Sequence, residues 1–566
     1  MAGYSQTIHQ SGSRSSLTLL AVPALLIIGL GIRWLYIRAV VFPPLDDPAF
    51  YLITAQNLVA GRGLEVDALW SYQIPFPQVT HPSHEHWMPL TTGLIAAAFS
   101  IQRLLSGELE GPLRTGQIPG LVMGTLLVLF TYTFGRRALS GSVRNCWAAW
   151  GAAVLVAINA TLSYQSASAD SSAPFALLAA WVLATAIRSP GEQGGYFGTG
   201  LLIALAYLTR PDGLLLLLAV PLAWGILPKP TCPPPDLPDK PEAKWAWEHW
   251  PREEGAGNAR RCKVQPSLAS LVDMGVGFVL LVAPWLVRNY LAFGTPLPSS
   301  VLSQAWLTDY GDTFSYLSHP TWQSWLAQGW TAILAQRTQA LLHNGRVFLV
   351  STFPWGLLAL PGLWLLRRER AFFPAFVYTL ILYLVTALVF PISSMSGTFY
   401  HSLGAVMPFL ALAAVHTVQM AALRFCQVPR LAGIAGAAVA AGIVISSGAQ
   451  VALSLPAVAA RHQLEREQFE YVTGWLTQHA TPGDVVMTTQ PYTLNYASGH
   501  PCIVLPANEP PEAAWQAAQH YGARFLVITQ GLGQYPTILH DRPDPRFRLL
   551  VATHTTKIYA IQGETP

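Results

Sequence analysis

The sequence predicts a polytopic α-helical membrane protein with a small soluble α/β domain at its C-terminal end. Three observations carry this. Of the 566 residues, 52% are hydrophobic and only 11% are charged, where a soluble chain carries about 25% charged residues. Apolar runs of about 20 residues, the length that crosses a hydrocarbon core, recur along the chain. After residue 456 the pattern changes to short apolar strands alternating with helical stretches. The net charge of +4 is thinly spread and no basic run with interleaved aromatics occurs, so nucleic acid is not an expected partner.

Spans are expected near 17–37, 115–136, 145–163, 171–188, 196–210, 212–228, 268–291, 347–366, 371–391, 401–420 and 431–455, about eleven in all. The first is too long for a signal peptide and lacks a small-residue cleavage site, so it reads as an anchor. The stretch 196–228 fits one long helix or a tight pair, and Pro211 and Gly213 in "TRPDG" favour a break. Charge decides. Arg136, Arg137 and Arg144, then Arg367, Arg368 and Arg370, then Arg424 and Arg430 all face the cytoplasm only if 196–228 crosses twice. The expected topology is therefore that of a multi-pass inner (plasma) membrane protein. Its N-terminus lies in the cytoplasm and its C-terminal domain outside.

Four segments lie off the spans, dividing the chain into a membrane module over 1–455 and an external domain over 456–566. Residues 38–114 form a first external loop. Residues 229–266, with "PKPTCPPPDLPDKPEAK", read as a flexible cytoplasmic linker. Residues 292–346 form a second external loop, in which Trp306, Trp322, Trp325 and Trp330 suit interfacial helices. In the C-terminal domain "DVVMTT", "CIVLP" and "RFLVIT" read as strands, and 461–479 and 510–522 as helices. Cys146, Cys232, Cys262 and Cys426 fall at or near the cytoplasmic side and Cys502 stands alone outside. No disulfide and no zinc site follow from these spacings.

The acidic pair Asp46 and Asp47 follows the first span in "LDDPAFYLITAQNLVAG". Asp47 is placed to cap a helix whose first position is Pro48, and Gly61 to end it. Tyr51, Leu52, Ala55, Leu58 and Val59 then form an apolar stripe with Thr54 and Asn57 off it, the pattern of a helix lying in the membrane plane. The bland reading is one cap and one solvated acid. The location argues for more, because an acid held at a bilayer boundary is a functional candidate. In "THPSHEHWMPL", His84, Glu85 and His86 read either as ligands for a divalent ion or as a water-facing polar loop. Asp170, Arg210, Asp212, Arg288, His343 and Arg346 also fall near the outer face. Singly they read as helix-end anchors. Together, acids and arginines at headgroup depth suit a phosphate attached to a hydrocarbon tail.

These stretches, in this order, resemble the GT-C membrane glycosyltransferases. The likeness is to the branch with the protein O-mannosyltransferases and the lipid A aminoarabinose transferases. "DDPAFYLITAQNLVAGRGL" resembles that family's acidic motif after the first span. "HEHWMPLTTGLIAAAFS" is similar to the end of the same loop, and "YLTRPDGLLLLLAVP" with "VRNYLAFGTPLP" to middle-span signatures. The resemblance implies transfer of a hexose or pentose from a polyprenyl-phosphate donor to a protein, lipid or polysaccharide acceptor outside the cell. It makes Asp46 the catalytic base, Asp47 the second acid and Asp170 a further acid. Arg210, Arg288 and Arg346 become contacts for the lipid phosphate, and His401 stands where some members carry a more basic group. Glu85 is one residue further from the Pro-Leu pair than in the aminoarabinose transferases, so the cofactor expectation lies between none and a divalent metal ion.

Two rivals predict different features. A transporter would place ionisable groups at mid-span and break its helices in pairs, whereas here most spans are free of charge at their centres and the acids cluster at one face. Arg33, near the end of the first span, is expected to snorkel outward. A non-catalytic protein that binds lipid-linked sugars or assists polymer assembly would keep the acidic pair. The C-terminal domain carries no nucleophile elbow or phosphate loop and is expected to contact the acceptor or shape the external vestibule.

Overall fold

Apolar runs in hydrocarbon have only their own backbone to hydrogen-bond with, and they fold as helices. The computed structural model describes residues 11–139, 143–187, 195–226, 268–297, 303–426, 428–506, 508–529 and 544–562. The linker expected at 229–266, with Cys232 and Cys262, lies outside them. The chain opens with α1 (Ser11–Ala39) and α2 (Asp46–Val59), then short strands β1 (Glu65–Val66), β2 (Ala68–Leu69) and β3 (His81–Pro82). Helices α3 (Pro89–Ser106), α4 (Pro112–Gly116), α5 (Ile118–Ala138), α6 (Val143–Ala157), α7 (Ala160–Ala167) and α8 (Ser172–Thr185) follow. Next come α9 (Gly195–Thr209), α10 (Leu214–Ile226), α11 (Leu268–Phe293), α12 (Trp322–Ala327), α13 (Trp330–Ser351) and α14 (Gly356–Leu366). The membrane part ends with α15 (Phe373–Leu388), α16 (Pro391–Met395), α17 (Thr398–Ser402), α18 (Met407–Phe425) and α19 (Pro429–His479).

Among the described residues, five helices are long and apolar enough to cross a membrane, or seven if each bent pair is one span. Four shorter apolar helices, α8, α9, α10 and α15, occupy the remaining expected positions. The expected break at "TRPDG" is present as a single 3-10 turn, Pro211–Gly213. The span expected at 347–366 is different. It is an elbow, with α13 and α14 bent by 102°, and α13 starts at Trp330 inside the expected second loop. Helices α9 and α11 touch backbone to backbone. A Cβ on Gly200 would lie 2.0 Å from the Met274 carbonyl oxygen and one on Gly277 2.2 Å from that of Phe197, an approach that small residues allow in membranes.

Arg33 does not snorkel. It is fully buried, and its guanidinium donates to the carbonyls of Gly29 (3.2 Å) and Ala157 (3.3 Å) and to Ser166 Oγ (3.3 Å). Helices α6 and α7 meet at a 53° bend just after Ala157, and such a break frees carbonyls that a buried cation satisfies.

The final expected span continues without interruption into the soluble part, since α19 is 51 residues long and runs on past Pro456 to His479. It leads to β4 (Val485–Thr488), α20 (Pro491–Ser498), β5 (Cys502–Val504), α21 (Pro511–Tyr521), β6 (Ala523–Thr529), β7 (Phe547–Ala552) and β8 (Thr556–Ile561). The six-stranded sheet has the order β2-β5-β4-β6-β8-β7, parallel from β2 to β6 and antiparallel beyond. Its edge strand, β2, comes from the first external loop, with Ala68 opposite Cys502 and Leu69 opposite Ile503. Loop and domain therefore share one hydrophobic core. Ile503 is fully buried in it. Ile503→Ala is expected to cost about 2–5 kcal/mol and to make the first loop and the C-terminal domain protease-sensitive together. Limited proteolysis checks this, and release of only one of the two would refute the shared core.

Candidate active site

Helix α2 starts on the acidic pair itself. Asp46 and Asp47 both lie in its first turn and Leu45, at φ 64°, precedes them without a side-chain cap bond. Asp47 is thus not the cap; the helix begins two residues before Pro48. Gly61, at φ 82°, follows the last turn where expected. The helix is not an isolated interfacial one. Phe50, Leu52 and Ala55 are fully buried, but so is Thr54, and Asn57 is nearly so, while Leu58 of the expected stripe is 38% exposed. Packing on α3 and α20 covers its faces. At the helix N-terminus the two carboxylates meet the positive end of the backbone dipoles.

The two acids have different partners. Asp46 is buried, and its Oδ1 accepts from the Thr493 N–H (2.9 Å) and the Thr493 hydroxyl (3.1 Å). Burial pushes its carboxyl up to about 7 against the pull of these bonds, and the charge of Asp47 adds to the rise. Asp47 is half-buried. Burial raises it too, opposed by the charge of Arg210 and a hydrogen bond from Trp87.

Arg210 sits between α9 and the 3-10 turn, its Nε 3.0 Å from Asp212 Oδ2 and its Nη1 donating to Ser171 Oγ at 3.1 Å. Asp212 also accepts from the Ser402 hydroxyl at 2.5 Å, which ties α17 to the turn. Asp170, between α7 and α8, accepts from the Ser172 N–H (2.8 Å) and lies 3.7 Å from His401 Nδ1. His401 Nδ1 pairs with Ser172 Oγ at 2.7 Å. Burial raises Asp170 to about 6, Asp47 adding to the rise and Arg210 opposing it. Asp46, Asp47, Asp170, Arg210 and His401 therefore share one electrostatic neighbourhood.

Of the other expected residues, His86 also feels the charge of Arg210, and Glu85 meets the Asp46 neighbourhood through Tyr492. Arg288 donates weakly to the Leu64 carbonyl (3.4 Å) and stacks over Trp285 and Phe293, each at 5.0 Å. His343 and Arg346 lie on α13, where Arg346 is exposed. The buried polar contacts of that helix run through Asn344 to Thr386 (3.1 Å) and Ser394 (2.8 Å). His84 has both ring nitrogens engaged, by Ser83 Oγ (2.8 Å) and Thr92 Oγ1 (2.9 Å), and burial pushes it down to about 3. His86 packs against Trp70 and Trp87. Glu85 accepts from the Tyr492 hydroxyl at 3.2 Å and lies 3.8 Å from His81 Nε2. Among the described residues no group of three or more His, Cys, Asp or Glu is placed to hold a metal ion.

Thr493, Tyr492 and Trp87 were not expected in the site. The first two arrive from the C-terminal domain, 447 and 407 positions along the chain from their partners, with no sequence pattern to announce them. Ser171 and Ser172 sit beside Asp170 in the polar run "SASADSSAPF", which was a usable signal.

In overall shape the chain matches ArnT from Cupriavidus metallidurans bound to undecaprenyl phosphate, with a TM-score of 0.51 at 12% identity over 96% of this chain and 98% of that one. The fold is GT-C. The apo form of the same ArnT matches at a TM-score of 0.50 and 13% identity, over 97% of this chain and 98% of that one. The GT-C fold of the archaeal oligosaccharyltransferase AglB from Archaeoglobus fulgidus, in complex with an inhibitory peptide and a dolichol-phosphate, matches at 0.50 and 12% identity. It covers 92% of this chain and 70% of that one. No protein-family model and no curated protein sequence matches the chain.

Proposed function

We propose that this GT-C protein is a glycosyltransferase that moves a sugar from a polyprenyl-phosphate donor to an acceptor hydroxyl on the extracytoplasmic face. The observation that carries the reading is the convergence of Asp46, Asp47, Asp170 and Arg210, from three separate elements, at the end of the apolar helices next to the C-terminal domain. A donor anchored by its tail reaches only that depth. Asp46 accepts the proton of the attacking hydroxyl. Its raised affinity for protons matches a base working near neutral pH. Arg210 offsets the charge that develops on the departing lipid phosphate. Asp212 and Ser171 hold its guanidinium, and Asp47 and Asp170, on which its charge bears, orient the sugar. Residues 1–455 form the catalytic module of this reading and 456–566 its external domain, with the N-terminus in the cytoplasm. Undecaprenyl phosphate in ArnT and dolichol-phosphate in AglB support a polyprenyl donor here.

The test is a transfer assay in proteoliposomes with labelled polyprenyl-phosphate hexoses and pentoses and with peptide, glycolipid and polysaccharide acceptors. Transfer from at least one donor is expected. Donor binding without transfer to any acceptor would favour a binding or assembly protein instead.

A further inference from the structure

The shared sheet brings one short helix of the C-terminal domain directly onto the acids of the first loop. Pairing of β2 with β5 places the Cys502 N–H on the Asp67 carbonyl at 3.0 Å. Between β4 and β5 lies α20, opened by Pro491 and closed by Gly499 at φ 72°. Its residue Asn495 is fixed to the His500 carbonyl at 2.7 Å. Two successive side chains of that helix each hold one acid. Tyr492 donates to Glu85 at 3.2 Å, and Thr493 donates to Asp46 twice, from N–H and from hydroxyl. Both are buried, so water does not compete for either bond. Tyr521 of α21 adds a hydroxyl bond to the Phe76 carbonyl at 3.0 Å, fixing the middle of the loop to the same domain.

We propose that Thr493 is a positioning residue for the base, so that the C-terminal domain sets where the Asp46 carboxylate points and how readily it ionises. This rests on the reading of Asp46 as the base. The physical reason is direct: a donor that bonds the charged form favours that form, and in a water-free pocket no solvent replaces a lost donor. The groups facing Asp46 are Asp47 on its own helix, Tyr492 on α20, Tyr310 from the second external loop and Cys502 on β5. Burial raises both phenols and the thiol, which leaves them neutral. Asp47 is the carboxyl group of this set, and its charge adds to the rise of Asp46.

The experiment measures kcat/KM against pH for full-length wild type, Thr493→Val and Thr493→Ser in proteoliposomes, with Asp46→Asn alongside. Valine keeps the shape and removes the hydroxyl. The acid limb of the Thr493→Val profile is expected to move up by about one pH unit with the donor KM unchanged, and Thr493→Ser to overlay wild type. A Thr493→Val limb coincident with wild type, while Asp46→Asn is inactive, would overturn the positioning role and leave the base in place. Full activity in Asp46→Asn would overturn the base itself. If Thr493→Val does not reach the membrane, Thr493→Cys replaces it, with a weak donor at the same place. A limb unmoved in Thr493→Cys overturns the proposal equally.

Discussion

Asp46→Asn is expected to lower transfer by about 10²–10⁴-fold, the usual contribution of a positioned general base. Asparagine keeps an oxygen for the Thr493 N–H and hydroxyl, which bond Oδ1 at 2.9 and 3.1 Å, so the fold has no reason to change. Donor binding, measured separately, should stay within a few-fold of wild type. The pH dependence supplies a second check. A base works ionised, so wild-type kcat/KM should rise with pH through about 7, where burial places Asp46. Stability should run the other way. The folded carboxyl holds its proton more tightly than the unfolded one, so this group costs stability progressively as pH rises from the ordinary carboxylate range to about 7. Asp46→Asn removes that cost. Its apparent Tm should exceed that of wild type above pH 7 and approach it in acid. An inactive variant with a lowered Tm at every pH would mean that Asp46 holds the structure rather than the proton, and Asp47 would become the first candidate for the base.

What the sequence showed and what it hid follow from the range of the forces involved. The helix carrying the acids was legible because its signals are local: two acids and a proline in the first turn, and a glycine just past the end. Its start was misplaced because Leu45, not Asp47, occupies the cap with φ 64°, a conformation its side chain does not advertise. The helix was expected on the membrane surface because its stripe is amphipathic. Its faces are covered by α3 and by α20 of the C-terminal domain, a packing that no local pattern reveals. Strand β2 has two residues, Ala68–Leu69, too few for any alternation to show. The elbow between α13 and α14 was hidden for the opposite reason: "VFLVSTFPWGLLALPG" is apolar apart from Ser351 and Thr352, and hydropathy carries no information about direction. Arg33 lay within snorkelling distance of the helix end. What decided its direction was the Ala157 carbonyl at the α6–α7 break and the Ser166 hydroxyl on α7, features of other helices. The acids themselves were readable; their partners from the C-terminal domain were not.

Arg210 carries the second large prediction. Its guanidinium bonds Asp212 and Ser171 in two directions, at 3.0 and 3.1 Å, and its charge bears on Asp47 and Asp170. Arg210→Ala is expected to cost about 3–5 kcal/mol, because it leaves buried acids without their cation. Part of that cost should be relieved by protonation. Arg210 pulls Asp47 and Asp170 down, so without it both bind protons at higher pH and the variant should be least stable in alkali. Arg210→Lys separates charge from geometry. A lysine restores the charge but is a single point donor, where the guanidinium is a planar fork able to grip Asp212, Ser171 and a phosphate together. Most of the lost stability should return in Arg210→Lys. The donor KM should stay raised by about tenfold or more, the size of one charge-assisted bond. The acceptor KM should be unchanged, since the attacking hydroxyl is served by Asp46. Arg210→Lys with wild-type donor KM would remove Arg210 from phosphate recognition and confine it to holding α8, α17 and the 3-10 turn together. Loss of acceptor rather than donor affinity would instead place the acceptor on the Asp170 side of the site and send the search for the phosphate contact to Arg288.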